Sequence, residues 1–88
     1  MVLRHKNKPN GYIYPGGFMK ITDTSSLGKA IRQRRKELNY TQAYLAEFTG
    51  FSTSFISDLE RGKATAEIGK ILFLIQTLGM DLCLEKRG

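Results

Sequence analysis

The stretch TQAYLAEFTGFSTSFISDLERGK, residues 41–63, contains two short helical patterns separated by a glycine. Thr41 and Ser52 each stand at the start of a helical pattern and offer a hydroxyl oxygen that caps a helix N-terminus. Gly50 lies between the two patterns, where the chain needs a left-handed turn residue. Small and branched apolar residues stand where the two helices would pack together: Ala46, Ile56 and Leu59. The stretch therefore predicts a helix-turn-helix unit from about Gln42 to Arg61.

Helical patterns on both sides extend this unit into a larger domain. Before it, Thr24-Ser25-Ser26 predicts the N-terminal cap of a helix that runs to about Asn39, apolar on one face and basic elsewhere. After it, Thr65 is the predicted cap of a helix that runs to about Leu78 and ends at Gly79. The apolar residues of this last helix span more than one face, so we expect part of them to contact a partner. The predicted fold is mainly α, a compact domain of four to five helices.

A short β-strand is predicted after the last helix, because apolar and polar residues alternate from Met80 to Lys86. A lone strand leaves its backbone groups unpaired, so a second strand must pair with it. Pairing with the same strand of a second chain is favoured over pairing with Tyr12-Ile13-Tyr14, since Gly and Pro keep that stretch short. The residues predicted at this dimer interface are Ile75, Met80, Leu82 and Leu84.

The first 18 residues differ in composition from the rest of the chain. They contain Arg4, Lys6 and Lys8 but no acid, and Pro9-Asn10-Gly11 and Pro15-Gly16-Gly17 are turn signals. We predict a flexible basic arm over residues 1–18, a helix-turn-helix domain over 19–79 and a dimerisation strand over 80–88.

Charge and composition narrow the class of partner. The 88 residues carry a formal charge of +6 at pH 7, which favours nucleic acid, although an acidic membrane would attract the same charge. The longest apolar run, Ile71 to Ile75, is too short to span a bilayer. One cysteine, Cys83, and one histidine, His5, supply no disulfide, metal site or catalytic set within one chain. We therefore expect a cytoplasmic protein with no enzyme activity, no cofactor and no membrane partner.

The pattern of residues 41–63 resembles the Cro/C1-type (XRE) helix-turn-helix of phage repressors and bacterial regulators. The resemblance covers about 27–78 and implies a lambda-repressor-like fold in a bacterial protein. Residues 62–84, GKATAEIGKILFLIQTLGMDLCL, are similar to HipB-like antitoxins in their short link, their helix ending in Leu-Gly and their alternating strand. This similarity implies a homodimer that represses its own operon and holds a HipA-like serine/threonine kinase toxin inactive. The alternative is a stand-alone XRE-family repressor without a toxin partner.

The same resemblance implies which residues contact a palindromic operator in double-stranded DNA. The third helix would lie in the major groove, with outward residues near its N-terminus on base edges. The candidates for these contacts are Thr53, Ser54, Ser57 and Asp58. The candidates for phosphate contacts are Gln42, Lys63, Arg32 and Lys36. For Arg32 and Lys36 the alternative is that they only form a solvated face of the first helix. Arg35 and Glu60 are implied to form a structural ion pair between the first and third helices.

Overall fold

The computed structural model describes residues 2–5 and 18–87, and these form four α-helices and a small antiparallel sheet. In chain order the elements are β1 (Val2–His5), β2 (Phe18–Lys20), α1 (Thr24–Glu37), α2 (Gln42–Thr49), α3 (Thr53–Glu60), α4 (Ile68–Thr77) and β3 (Met80–Cys83). The prediction of a mainly helical domain with a short C-terminal strand is confirmed. None of the helices in the described ranges is long and apolar enough to cross a membrane.

The helix-turn-helix unit consists of α2, the turn at Gly50 and α3. The Thr41 hydroxyl accepts the N–H of Tyr44 at 3.0 Å, and the Ser52 hydroxyl accepts the N–H of Phe55 at 3.0 Å. Gly50 has a φ of 81°, in the left-handed region that glycine adopts without strain. The predicted caps and turn are therefore confirmed. The unit closes over apolar side chains that are fully or almost fully buried: Leu45, Ala46, Ile56 and Leu59.

The N-terminus of α1 differs from its prediction by a residue. Asp23, and not the Thr24-Ser25-Ser26 run, is the N-cap, and its carboxylate accepts the N–H of Ser26 at 2.7 Å. The Ser26 hydroxyl in turn accepts the N–H of Asp23 at 3.1 Å, which completes a capping box. Aspartate serves here because its carboxylate accepts a backbone N–H and its charge favours the helix N-terminus.

The start of α4 also differs from its prediction. The helix begins at Ile68 with Glu67 as the N-cap, and Thr65 lies in a turn before it. The Lys63 N–H donates back to the Asp58 carbonyl at the end of α3, and a second turn at residues 64–65 follows before α4 begins. The helix leaves large apolar side chains in solvent, as its wide apolar pattern predicts; the most exposed are Ile68 at 58% and Phe73 at 51%.

The sheet corrects one part of the prediction for the N-terminal arm, since residues 2–5 form a strand. Val2–His5 forms the middle strand of the order β2-β1-β3, and β1 is antiparallel to both neighbours. The backbone of β3 therefore has its partner in the same chain, with Val2 opposite Cys83. The apolar Val2-Leu3 pair suits a strand, whereas the Gly and Pro residues lie later in the predicted arm. The alternative mate, Tyr12-Ile13-Tyr14, lies outside the described residues.

The structure also corrects two of the four residues predicted at a dimer interface. Ile75 and Met80 are 1% and 0% exposed in the core of a single chain, so their side chains have no surface to offer a second copy. They are buried because α4 and β3 pack on the other helices of their own chain. Leu82 is half-buried against the same core, and Leu84 is 82% exposed.

Candidate nucleic-acid interface

The first turn of α3 presents hydroxyl groups to solvent. Ser52 caps the helix, and the next two residues, Thr53 and Ser54, are exposed. Ser57 is half-buried one turn later on the same side. Since hydroxyl groups both donate and accept hydrogen bonds, this face can contact the edges of several different bases.

Asp58 lies on the edge of this face and is paired with two cations. Its Oδ1 accepts from Arg61 Nη2 at 2.7 Å, and its Oδ2 accepts from Lys63 Nζ at 3.4 Å. The hydrogen bond from Arg61, followed by that from Lys63, lowers the pKa of the Asp58 carboxyl below its ordinary value. A predicted base contact and a predicted phosphate contact, Asp58 and Lys63, are thus bound to each other.

Arg61 is a candidate that the sequence reasoning missed. It is the C-cap of α3, and its side chain is 71% exposed beside the hydroxyl face. Arg61 stands three residues after Asp58, and side chains at this spacing on a helix contact each other. This spacing is the sequence feature that indicates Arg61. With Lys63, Arg61 places two cations at the end of α3.

A buried network holds α3 against α1 and α2. Arg35 donates to Glu60 through two parallel bonds, Nε to Oε2 at 2.7 Å and Nη2 to Oε1 at 2.9 Å. The third nitrogen of Arg35, Nη1, donates to the Tyr40 carbonyl at 2.8 Å. The hydrogen bonds that Arg35 donates to the Glu60 carboxylate raise the pKa of the Arg35 guanidinium above its ordinary value. The structure therefore places Arg35 and Glu60 in a bidentate ion pair between two helices.

Gln42 belongs to the same network. Its Nε2 donates to Glu60 Oε1 at 3.1 Å, and the side chain is half-buried at the first position of α2. The amide predicted to hold a phosphate is therefore turned toward a carboxylate inside the unit. In this arrangement Gln42 fixes the start of α2 relative to α3.

Arg32 and Lys36 lie on the exposed face of α1, along a shallow groove that Lys29, Gln33 and Glu37 also line. At 3.6 residues per turn they stand about 60° and 100° from Arg35 around the helix axis. The two side chains thus form a basic ridge beside the buried ion pair, and their role toward phosphates stays a prediction.

Phe55 lies in an aromatic cluster and not on the hydroxyl face. Its ring meets Phe51 edge to face at 5.2 Å, and Phe51 meets Phe73 of α4 at 5.7 Å. Lys70 Nζ lies 5.5 Å from the centre of the Phe55 ring, within the range of a cation–π contact. This cluster packs the start of α3 against α4. Within the described part of the chain, no group of three His, Cys, Asp or Glu side chains is arranged to hold a metal ion.

Comparison with known proteins shows the family of this chain. The helix-turn-helix family model HTH_3 matches residues 31–84. The chain is 44% identical over 63 residues to y4mF of Sinorhizobium fredii, an uncharacterised HTH-type transcriptional regulator, and the match covers 72% of this chain and 83% of y4mF.

Two solved structures of HipB have a similar fold. A HipB variant in complex with an O2 20mer is 25% identical with a TM-score of 0.71, covering 78% of this chain and 96% of HipB. HipB in a HipA-HipB-O2-O3 complex is 30% identical with a TM-score of 0.59, and the match covers 76% of this chain and 97% of the chain in that complex. Together with the α2–Gly50–α3 geometry, these matches show that the chain belongs to the XRE-type helix-turn-helix family of transcriptional regulators.

Proposed function

We propose that the chain is a sequence-specific regulator that binds double-stranded DNA through α3. The observation that carries this proposal is the exposed hydroxyl face of Thr53 and Ser54, held rigidly by a capped helix and by the buried Arg35–Glu60 pair. Cations at the end of α3 supply charge for phosphates on the same side. The similarity to HipB bound to an O2 20mer supports the same assignment.

The test separates base contacts from phosphate contacts. Ser54→Ala is expected to change the order in which duplexes are preferred, because it removes a hydroxyl near base edges. Lys63→Ala is expected to weaken all duplexes alike and to reduce the slope of log K against log salt by up to about 1. Fluorescence anisotropy with a panel of duplexes measures both effects. Lys20→Ala is the charge-matched control, since Lys20 is an exposed lysine of β2, at the opposite edge of the sheet from β3. If Ser54→Ala scales every duplex equally, α3 is not the reading helix.

We also propose that the regulator is a HipB-like antitoxin that represses its own operon and neutralises a HipA-like serine/threonine kinase toxin. The 30% identity to HipB in a complex with HipA supports this assignment. The alternative is a stand-alone XRE-family regulator without a toxin partner, and the 44% identity to y4mF supports the regulator function that both candidates share. Immunoprecipitation of the untagged chain from its host, with mass spectrometry and light scattering, distinguishes them. Stoichiometric recovery of a kinase-like partner supports the antitoxin, and recovery of the chain alone contradicts it.

The operator-bound form is proposed to be a two-fold dimer, because one helix-turn-helix unit reads a single half-site and palindromic half-sites lie about 34 Å apart. The order β2-β1-β3 places β3 at the edge of the described sheet. We propose that β3 of one protomer pairs along this edge with β3 of its partner, beside the exposed Leu84.

A further inference from the structure

Asp58 is the acid that α3 exposes on the side proposed to meet DNA. The other acid of this helix, Glu60, is buried against Arg35, whereas the Asp58 side chain is 34% exposed. A carboxylate on this side repels phosphates and lowers the affinity for every DNA sequence. A contribution to general DNA affinity therefore does not explain why Asp58 occupies this position.

The two cations around Asp58 are held by a carboxylate that a phosphate can replace. Arg61 Nη2 lies 2.7 Å from Oδ1 and Lys63 Nζ lies 3.4 Å from Oδ2, so both carboxylate oxygens are engaged. The Arg61 and Lys63 side chains are nevertheless 71% and 58% exposed. Exposed pairs of this kind are weak, and guanidinium and ammonium groups bind phosphate as readily as carboxylate.

Backbone hydrogen bonds, and not the Asp58 carboxylate, hold the segment of chain that carries Arg61 and Lys63. The Arg61 N–H donates to the Ser57 carbonyl at 3.1 Å, and the Lys63 N–H donates to the Asp58 carbonyl at 3.0 Å. Gly62, between them, has a φ of 90° that lets the chain fold back on α3. Neutralising the Asp58 side chain would thus release two cations without moving the segment that carries them.

We propose that Asp58 is a specificity-determining residue that acts as an intramolecular counterion, which DNA phosphates must displace from Arg61 and Lys63. The inference rests on the proposed DNA-binding function and deepens it. At a site that presents a cytosine amino group to α3, the displaced carboxylate gains a new donor. At other sites it stays unpaired near phosphates, so the exchange penalises non-cognate DNA more than the operator.

The test uses the full chain and two DNA probes. One is a random-sequence pool of duplexes of about 20 base pairs, and the other is the duplex that the wild-type protein enriches from that pool. Asp58→Asn is expected to bind the random pool about fivefold more tightly and to steepen its salt slope by about 1 between roughly 50 and 200 mM salt. The affinity for the enriched duplex should rise less, so the ratio of the affinity for the enriched duplex to the affinity for the random pool falls.

Glu47→Gln is the matched control, because it removes the same charge from an exposed position in α2. A further comparison places Asp58→Asn in an Arg61→Ala/Lys63→Ala background, where the gain should vanish because no cations remain to be released. Asp58→Ala, with circular dichroism as a check on folding, is the second variant. An equal effect of Asp58→Asn and Glu47→Gln overturns the inference. An affinity gain that persists without the two cations also overturns it, because the Asp58 carboxylate then repels DNA phosphates directly. Weaker binding of Asp58→Asn to both probes overturns it as well, because Asp58 is then a simple base contact.

Failure of the proposed function gives a different result. In that case the wild-type protein enriches no duplex and binds the random pool and any single duplex equally. If the wild type does enrich a duplex and Asp58→Asn behaves as the control, the DNA-binding function stands and only the counterion role is lost.

Discussion

At the scale of single residues, the buried ion pair explains why α3 stands in one orientation. Arg35 and Glu60 are the two charged residues buried in the described part of the chain, at 7% and 6% exposure. Burying charges costs free energy, and the pair is tolerable because Tyr40 and Gln42 satisfy further hydrogen bonds of the two groups. The pair therefore fixes, from inside the domain, the position of α3, the helix proposed to read DNA.

Arg35→Ala should destabilise the fold, because it leaves the Glu60 carboxylate buried without its cation. We expect the free energy of unfolding to fall by about 3 kcal/mol or more. Urea denaturation followed by circular dichroism measures this change. The control is Arg32→Ala, an exposed arginine one turn earlier, with an expected change within about 0.5 kcal/mol. A variant that keeps wild-type stability but loses DNA binding would instead place Arg35 on the DNA.

At the scale of elements, the contact between α1 and α3 depends on a glycine. A Cβ at Gly28 would overlap the Leu59 carbonyl oxygen and would lie 2.7 Å from that of Glu60. Both neighbours are backbone atoms, so rotating a side chain cannot relieve the overlap. The last turn of α3 thus approaches α1 more closely than any side chain allows, and this approach brings Arg35 within reach of Glu60.

Two helical glycines should respond oppositely to alanine. Gly28→Ala must push α1 away from α3, and overpacking of this kind costs about 2 kcal/mol. Gly69, in α4, has open space around its Cβ position, so Gly69→Ala should stabilise the protein by up to about 1 kcal/mol through helix propensity. Thermal and urea unfolding of both variants measure the difference. A Gly28→Ala variant as stable as Gly69→Ala would contradict the close approach.

At the scale of the whole molecule, the sheet joins the two ends of the described chain. Val2 lies opposite Cys83 and Leu3 opposite Leu82, so β1 covers one edge of β3 and leaves the other edge for a second protomer. An edge strand of this kind is a template for further pairing. The proposed dimer therefore continues a sheet that a single chain has already begun.

Leu84→Asp should weaken this dimer without affecting the fold of one chain, since Leu84 is 82% exposed. A charge on both sides of the two-fold axis would repel, and we expect the dimer dissociation constant to rise about tenfold or more, measured by analytical ultracentrifugation. Phe48→Asp is the matched control, because it places the same charge on a 68% exposed residue of α2. Equal dissociation constants for Leu84→Asp and wild type would move the interface away from β3.

Local interactions explain the features of the fold that the sequence predicts correctly. The caps at Thr41 and Ser52 and the turn at Gly50 follow from hydrogen bonds and dihedral preferences within a few residues, and the structure has all three. The apolar spacing of α2 and α3 likewise follows from the helical period, so the sequence of residues 41–63 is enough to predict the helix-turn-helix unit. The Arg35–Glu60 pair was reached only through the resemblance to a family.

Tertiary packing selects the strand that pairs with β3 and the apolar residues that the core buries. A period of two predicts a strand but does not name its mate, and Val2 and Cys83 are far apart in sequence. Burial of Ile75 and Met80 follows from this packing, so the pattern alone assigned them to the wrong surface. The sequence also does not predict the ion-pair partners of Asp58, because several charged side chains lie within reach of this position on a helix. The conformation of the loop after α3 brings Arg61 and Lys63 to it.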